Sequence, residues 1–127
     1  MLQHAALVWA DIPVIDMNRA MAFYHQHFTF TFSQMTMDDM EYAIVEQLEE
    51  QGAGIGLLYH PEAMPSTTGS VVYLQQTGSL QQKVDNLGAA GVKVVLPPKA
   101  IQDGEHGYIA LFIDCEGNKV GLWSMQA

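Results

Sequence analysis

Trp9-Ala10-Asp11-Ile12-Pro13-Val14-Ile15-Asp16-Met17-Asn18-Arg19-Ala20-Met21-Ala22-Phe23-Tyr24 is the stretch on which the fold turns. An apolar run around residues 5–14 reads as a strand. Asp16 then starts a helix, because its carboxylate can accept from the free amide donors of the first turn and complements the positive end of the helix dipole. Ala20, Phe23, Tyr24, His27 and Phe28 recur at helical spacing, which predicts a helix over 16–28 with one buried stripe. Strands are expected at 31–37, 41–48 and 54–59. The same order returns further on: a strand at 70–75, a helix at 79–90 capped by Ser79 with Leu80, Val84 and Leu87 along its stripe, and strands at 93–96, 108–114 and 119–124. Gly88 and Gly91 mark a left-handed stop to that second helix. The chain is thus two copies of one pattern, 4–60 and 69–125. A curled sheet of about four strands with one helix cannot close its own core, so the repetition predicts a cleft.

Punctuation between the copies agrees with this division. Pro61, Pro65 and the Ser66-Thr67-Thr68-Gly69 run compose a linker over 61–68. Asp38-Asp39, Gln51-Gly52 and Asp114-Cys115-Glu116-Gly117-Asn118 read as turns, Gly117 and Asn118 tolerating positive backbone angles. Pro97-Pro98 has no amide hydrogen to donate, so a strand ends there or lies on an edge. The segment 99–107 that follows is a candidate loop over the site.

Composition narrows the function. At 127 residues the chain fits a single domain. Five basic residues against fourteen acidic ones give a net charge of −9, and the cations Arg19, Lys83, Lys93, Lys99 and Lys119 are dispersed, which argues against nucleic acid as a partner. That charge allows a mild preference for neutral or cationic ligands. The acidic groups Asp38, Asp39, Glu41 and Glu46, Glu49, Glu50 read as solvated turns and strand ends, since they lack the regular spacing of a hard-cation loop. No apolar run approaches the roughly 18 residues of a membrane helix, and the start has no signal-peptide layout, so no membrane association and a cytoplasmic location are expected. The single cysteine, Cys115, excludes an intrachain disulfide; its acidic neighbours disfavour the thiolate.

Trp9 to Tyr24, together with Gly91-Val92-Lys93-Val94-Val95, Pro97-Pro98 and the run from Ala110 to Leu122, resembles the glyoxalase, bleomycin-resistance and extradiol-dioxygenase superfamily, also called the vicinal oxygen chelate superfamily. The likeness covers essentially the whole chain. It implies an α+β fold in which two βαβββ modules form a curled mixed sheet around a cavity, commonly within a homodimer. In the metal-dependent members of such a family, four His or Glu ligands reach into the cavity from the first and last strands of each module. Carried over residue by residue, those four places fall on Trp9, Gly56, Ser70 and Gly121. None of these side chains ligates a divalent ion, so no metal site and no cofactor are expected.

What remains is an aromatic hollow. Trp9, Gly56, Ser70, Gly121 and Trp123 are expected to face inward, two indoles beside two glycines giving flat walls for a planar apolar ligand, with Ser70 as a polar anchor. Tyr42 and Tyr108 are candidate pocket hydroxyls, and Met35, Met37 and Met40 a candidate adaptable lining. The five histidines, His4, His25, His27, His60 and His106, lie outside the mapped ligand positions, and surface or core-edge imidazoles are their default reading. His106 sits with Glu105 in a glycine-hinged loop, where an acid beside an imidazole is a candidate catalytic pair. The expectation is therefore a metal-free, glyoxalase/bleomycin-resistance-like protein that binds a small apolar or aromatic molecule. The alternative is a lyase, isomerase or dioxygenase-like enzyme of the same superfamily with a displaced metal site or acid/base residues.

Overall fold

Two side chains start the two helices as their positions demand. The Asp16 carboxylate accepts the Arg19 amide at 3.0 Å, and the Ser79 hydroxyl accepts the Gln82 amide at 3.2 Å. A computed structural model of the chain describes residues 1–48 and 52–127. The element order is β1 (Trp9–Pro13), α1 (Met17–Phe28), β2 (Phe32–Met37), β3 (Met40–Val45), β4 (Gly54–Tyr59), β5 (Val72–Gln75), α2 (Leu80–Ala89), β6 (Lys93–Ala100), β7 (Tyr108–Ile113) and β8 (Lys119–Ser124). Each expected strand and helix is present, most of them trimmed at the ends. The backbone divides into two compact units, Met1–Pro65 and Ser66–Ala127.

In the first unit the sheet order is β1-β4-β3-β2, with β1 parallel to β4 and the other pairs antiparallel. Strand alternation puts Ile12, Val14, Ala43, Val45 and Leu57 on one face, all buried, and α1 covers that face with Ala20, Phe23 and Tyr24. Tyr24 is fully enclosed and meets Phe23 edge-on at 5.0 Å. The other face is left uncovered by α1. Between β2 and β3 the chain turns at Asp38, whose φ of 55° is one that a short polar side chain tolerates. β3 stops at Val45, short of the expected residue 48; of the acidic run and turn expected beyond it, Glu49, Glu50 and Gln51 lie outside the described residues.

The second unit repeats the plan as β5-β8-β7-β6. Leu74, Ala110, Phe112, Val120 and Leu122 are buried beneath Leu80, Val84 and Leu87 of α2. Three local expectations need correction. Gly91, at φ 86°, provides the left-handed stop after α2, whereas Gly88 does not; at the β7–β8 turn Gly117 takes the positive φ, 97°, without Asn118. β6 runs on through Pro97 and Pro98 to Ala100, so the candidate loop begins two residues later than expected. The prolines are accommodated because β6 is the outer strand, and its pairing with β7 shifts register between Val94 and Leu96 and again between Leu96 and Lys99. Among the described residues no helix is long and apolar enough to cross a membrane.

Candidate functional site

The uncovered face of the first sheet follows from register. Trp9 is opposite Gly54 and Asp11 opposite Gly56 across the parallel β1–β4 pair, with Ile44 opposite Gly56 on the other side and Met35 opposite Tyr42 on β2. These residues share the face turned away from α1. The Trp9 indole lies across the two glycines: a Cβ built on Gly54 would collide with the ring at Cζ3, and one on Gly56 would stand 3.2 Å from Cζ2 and 3.4 Å from the Tyr42 ring. Glycine is required there because the space beside the backbone is already occupied by aromatic carbon.

Asp11 ties this corner together. The Trp9 indole N–H donates to its Oδ1 at 2.9 Å, and the Tyr42 hydroxyl donates to its Oδ2 at 2.9 Å. Burial, then the hydrogen bond to Asp11 and its negative charge, push the Tyr42 phenol above the ordinary tyrosine range. The sign is that of a group held neutral: the stabilisation from this phenol is fully present below the unfolded tyrosine pKa and is lost as pH rises through the raised folded value. In a spectrophotometric titration, the phenolate signal missing from Tyr42→Phe relative to the native protein should appear at higher pH than that of free tyrosine. Asp11→Asn should move it only part of the way back, because burial is the larger cause.

Beside this corner is a cleft of about 180 Å³ bounded by Met17, Gln34, Met35, Thr36, Glu41 and Tyr42. A second, of about 420 Å³, lies by the start of α1 between Asp16, Asn18, Arg19, Gln34, Glu41 and Tyr59. Both belong to the first unit.

The second unit carries a related arrangement with different residues. Tyr73 is opposite Gly121 across the parallel β5–β8 pair, as Asp11 is opposite Gly56, and a Cβ on Gly121 would collide with the Tyr73 ring. Tyr73 was not foreseen. Ser70 is exposed and precedes β5, and the matching registers make Val71, rather than Ser70, the equivalent of Trp9. Trp123 shares a face with Gly121, and its indole N–H donates to the His106 carbonyl at 2.9 Å. Tyr108 lies on the opposite face: it shares the side of buried Ala110 and Phe112, and its hydroxyl packs against Gly104. Glu105 and His106 are both exposed and no hydrogen bond or ion pair joins their side chains, so adjacency in sequence does not make them an acid/base pair. His60 lies 3.5 Å from Asp39 and accepts the Glu62 amide, and His25 bonds the Phe30 carbonyl, both at 3.0 Å, which are local structural roles. Cys115 is half-buried with its thiol 3.5 Å from Glu116 Oε2.

Over residues 2–122 the sequence matches the model of the family described as Glyoxalase/Bleomycin resistance protein/Dioxygenase superfamily. The chain belongs to this superfamily. No curated protein matches it in sequence. Glyoxalase I from Zea mays has a similar structure, with a TM-score of 0.71 at 18% identity over 92% of this chain and 43% of that one. TnmS3, an antibiotic binding protein from Streptomyces sp. CB03234, gives 0.67 at 23% identity over 98% of both chains. A superfamily member from Sphaerobacter thermophilus DSM 20745 gives 0.66 at 21% over 97% of this chain and 99% of the other. At these identities the likeness is one of fold, and this chain spans less than half the length of the Zea mays glyoxalase I chains.

The residues present do not fit the superfamily's metal. An indole, a glycine and a second glycine under a tyrosine ring stand at three of the mapped ligand positions, and the fourth falls on Ser70 or Val71. Neither an indole nor a glycine hydrogen donates a lone pair to a divalent ion. Among the described residues no group of three or more His, Cys, Asp and Glu stands close enough to hold an ion. Asp11 and Tyr73 are candidate residues on these faces that sequence reasoning passed over. The signal for Asp11 was its spacing two residues after Trp9, which in a strand means the same face.

Proposed function

We propose that this superfamily member binds a planar apolar or aromatic small molecule, without a metal ion, against the uncovered face of its first sheet. The observation that carries the reading is the Trp9 indole laid across Gly54 and Gly56, 39% exposed and fixed in orientation by its bond to Asp11. A fixed aromatic surface stacks a planar ligand with little loss of side-chain freedom. Met35 and Met37, exposed on β2 beside the strand that carries Tyr42, supply polarisable surface that adapts to the ligand's outline. An antibiotic binding protein that shares this fold over 98% of both chains gives a precedent for small-molecule binding on it. The binding surface is proposed to comprise Trp9, Tyr42 and Gly56 on the first sheet, in a chain that acts as a cytoplasmic homodimer.

Binding is tested in a Trp123→Phe background, where Trp9 alone reports. Titration with a panel of planar aromatic compounds should change the fluorescence saturably, and ligands that do so should raise the melting temperature. Trp9→Ala should weaken their affinity by about tenfold or more, the scale of a lost aromatic anchor. A panel without a saturable response in either readout defeats the proposal. One tightly held Zn, Ni, Fe or Mn per chain in untagged protein would instead favour the enzymatic alternative.

A further inference from the structure

Asp11 is an anion in an unusual setting for a ligand-binding sheet face. Both its oxygens are engaged, but by neutral donors, the indole N–H and the phenol O–H. Such donors orient a carboxylate without cancelling its charge. Among the described residues no lysine, arginine or histidine is paired with it. The carboxylate therefore presents a full negative charge at a fixed point between two aromatic side chains. Each oxygen keeps a lone pair beyond the one already used. Ring faces carry negative quadrupole density, so the π surface of Trp9 favours the same sign of ligand as the carboxylate does. The net charge of −9 adds long-range attraction for that sign.

We propose that Asp11 is the charge-reading residue of this site and that the ligand is a planar aromatic bearing a positive charge. The proposal rests on the reading of the first sheet's open face as the ligand surface, and it adds the ligand's chemical class. A neutral planar compound gains only the stacking on Trp9. A cationic one of the same shape gains the stacking, the ring-face attraction and the ion pair with Asp11.

Two compounds of nearly equal shape separate these contributions: N-methylacridinium, a fixed cation, and acridine, neutral at the slightly alkaline pH of the assay. Calorimetric titration of the full chain at low ionic strength should give the cation an affinity about tenfold or more above acridine, the combined scale of a cation–π contact and a partly exposed ion pair. Raising the salt should erode that advantage and leave acridine unchanged. Asp11→Asn, which keeps a carbonyl oxygen for the Trp9 bond, should bring the two compounds to similar affinity, and Asp11→Glu should restore part of the difference. Equal affinities in the native protein, or a preference that survives Asp11→Asn, overturns the assignment of Asp11 while the planar-ligand reading stands. Failure of both compounds and of the wider aromatic panel removes both.

Discussion

Asp114→Ala is expected to lower the melting temperature by about 10 °C, corresponding to roughly 3 kcal/mol, without changing the fold. The Asp114 side chain is 5% exposed and organises the β7–β8 turn from inside. Its Oδ1 accepts the amides of Glu116 and Asn118, each at 2.9 Å, and its Oδ2 accepts the Asn118 side-chain amide at 3.2 Å. Asn118 in turn accepts the Ser66 amide at 3.1 Å, so the turn also fastens the incoming end of the second unit. Alanine leaves these buried donors without an acceptor. The cost of that desolvation exceeds the net worth of any one bond. Asp114→Asn should cost distinctly less, since its remaining carbonyl still serves the two backbone amides. Thermal unfolding of the three proteins followed by circular dichroism gives the ranking, and an Asp114→Ala protein as stable as the native one contradicts the account.

Gly107→Ala is expected to destabilise by a similar amount, roughly 3 kcal/mol, and to shift the emission of Trp123. Gly107 has φ 84°, and a Cβ there would stand 2.6 Å from the Ser124 carbonyl oxygen and 2.9 Å from the Trp123 indole nitrogen. The backbone oxygen has no rotamer to which it can retreat. The indole can move only by giving up its bond to the His106 carbonyl. Gly117→Ala is the internal control. It also has positive φ, 97°, but nothing lies within 4 Å of its missing Cβ, so only the conformational cost of about 1–2 kcal/mol applies. Denaturant unfolding should rank the two substitutions in that order, and Gly107→Ala costing no more than Gly117→Ala would show that the loop yields.

The parts of the fold that were legible were those with local causes. Asp16 and Ser79 cap because their side chains reach their own helix, and the stripes beneath them are periodic. Of the candidate site, the side of the sheet follows where alternation can be counted from a firm point: Trp9, Gly56, Gly121 and Trp123 each lie on the face of their own sheet turned away from its helix. Misplacements came from register. Tyr73 lies six positions before its helix cap and Asp11 five, so the modules do not align by counting from their caps, and the mapping that followed Gly69 reached Ser70, one residue short of Val71. Tyr108 was assigned to a pocket on its chemistry, whereas counting from Ala110 and Phe112 puts it on the helix side. Asp11 was obscured by its setting in an apolar run, where a lone carboxylate reads as an interruption. Its meaning depends on Tyr42, thirty-one residues away in sequence, a contact that no local pattern encodes.

The outer rim of the second sheet has a consequence for solubility. An open sheet edge is ordinarily a template on which a foreign strand or another molecule of the same protein can zip up, the first step toward fibrils. β6 cannot serve as one along its length, because Pro97 and Pro98 interrupt the row of donors, two register shifts bend the backbone, and Lys93 and Lys99 put charge at either end. A chain with 49% hydrophobic residues is thereby protected, at this margin, against uncontrolled polymerisation.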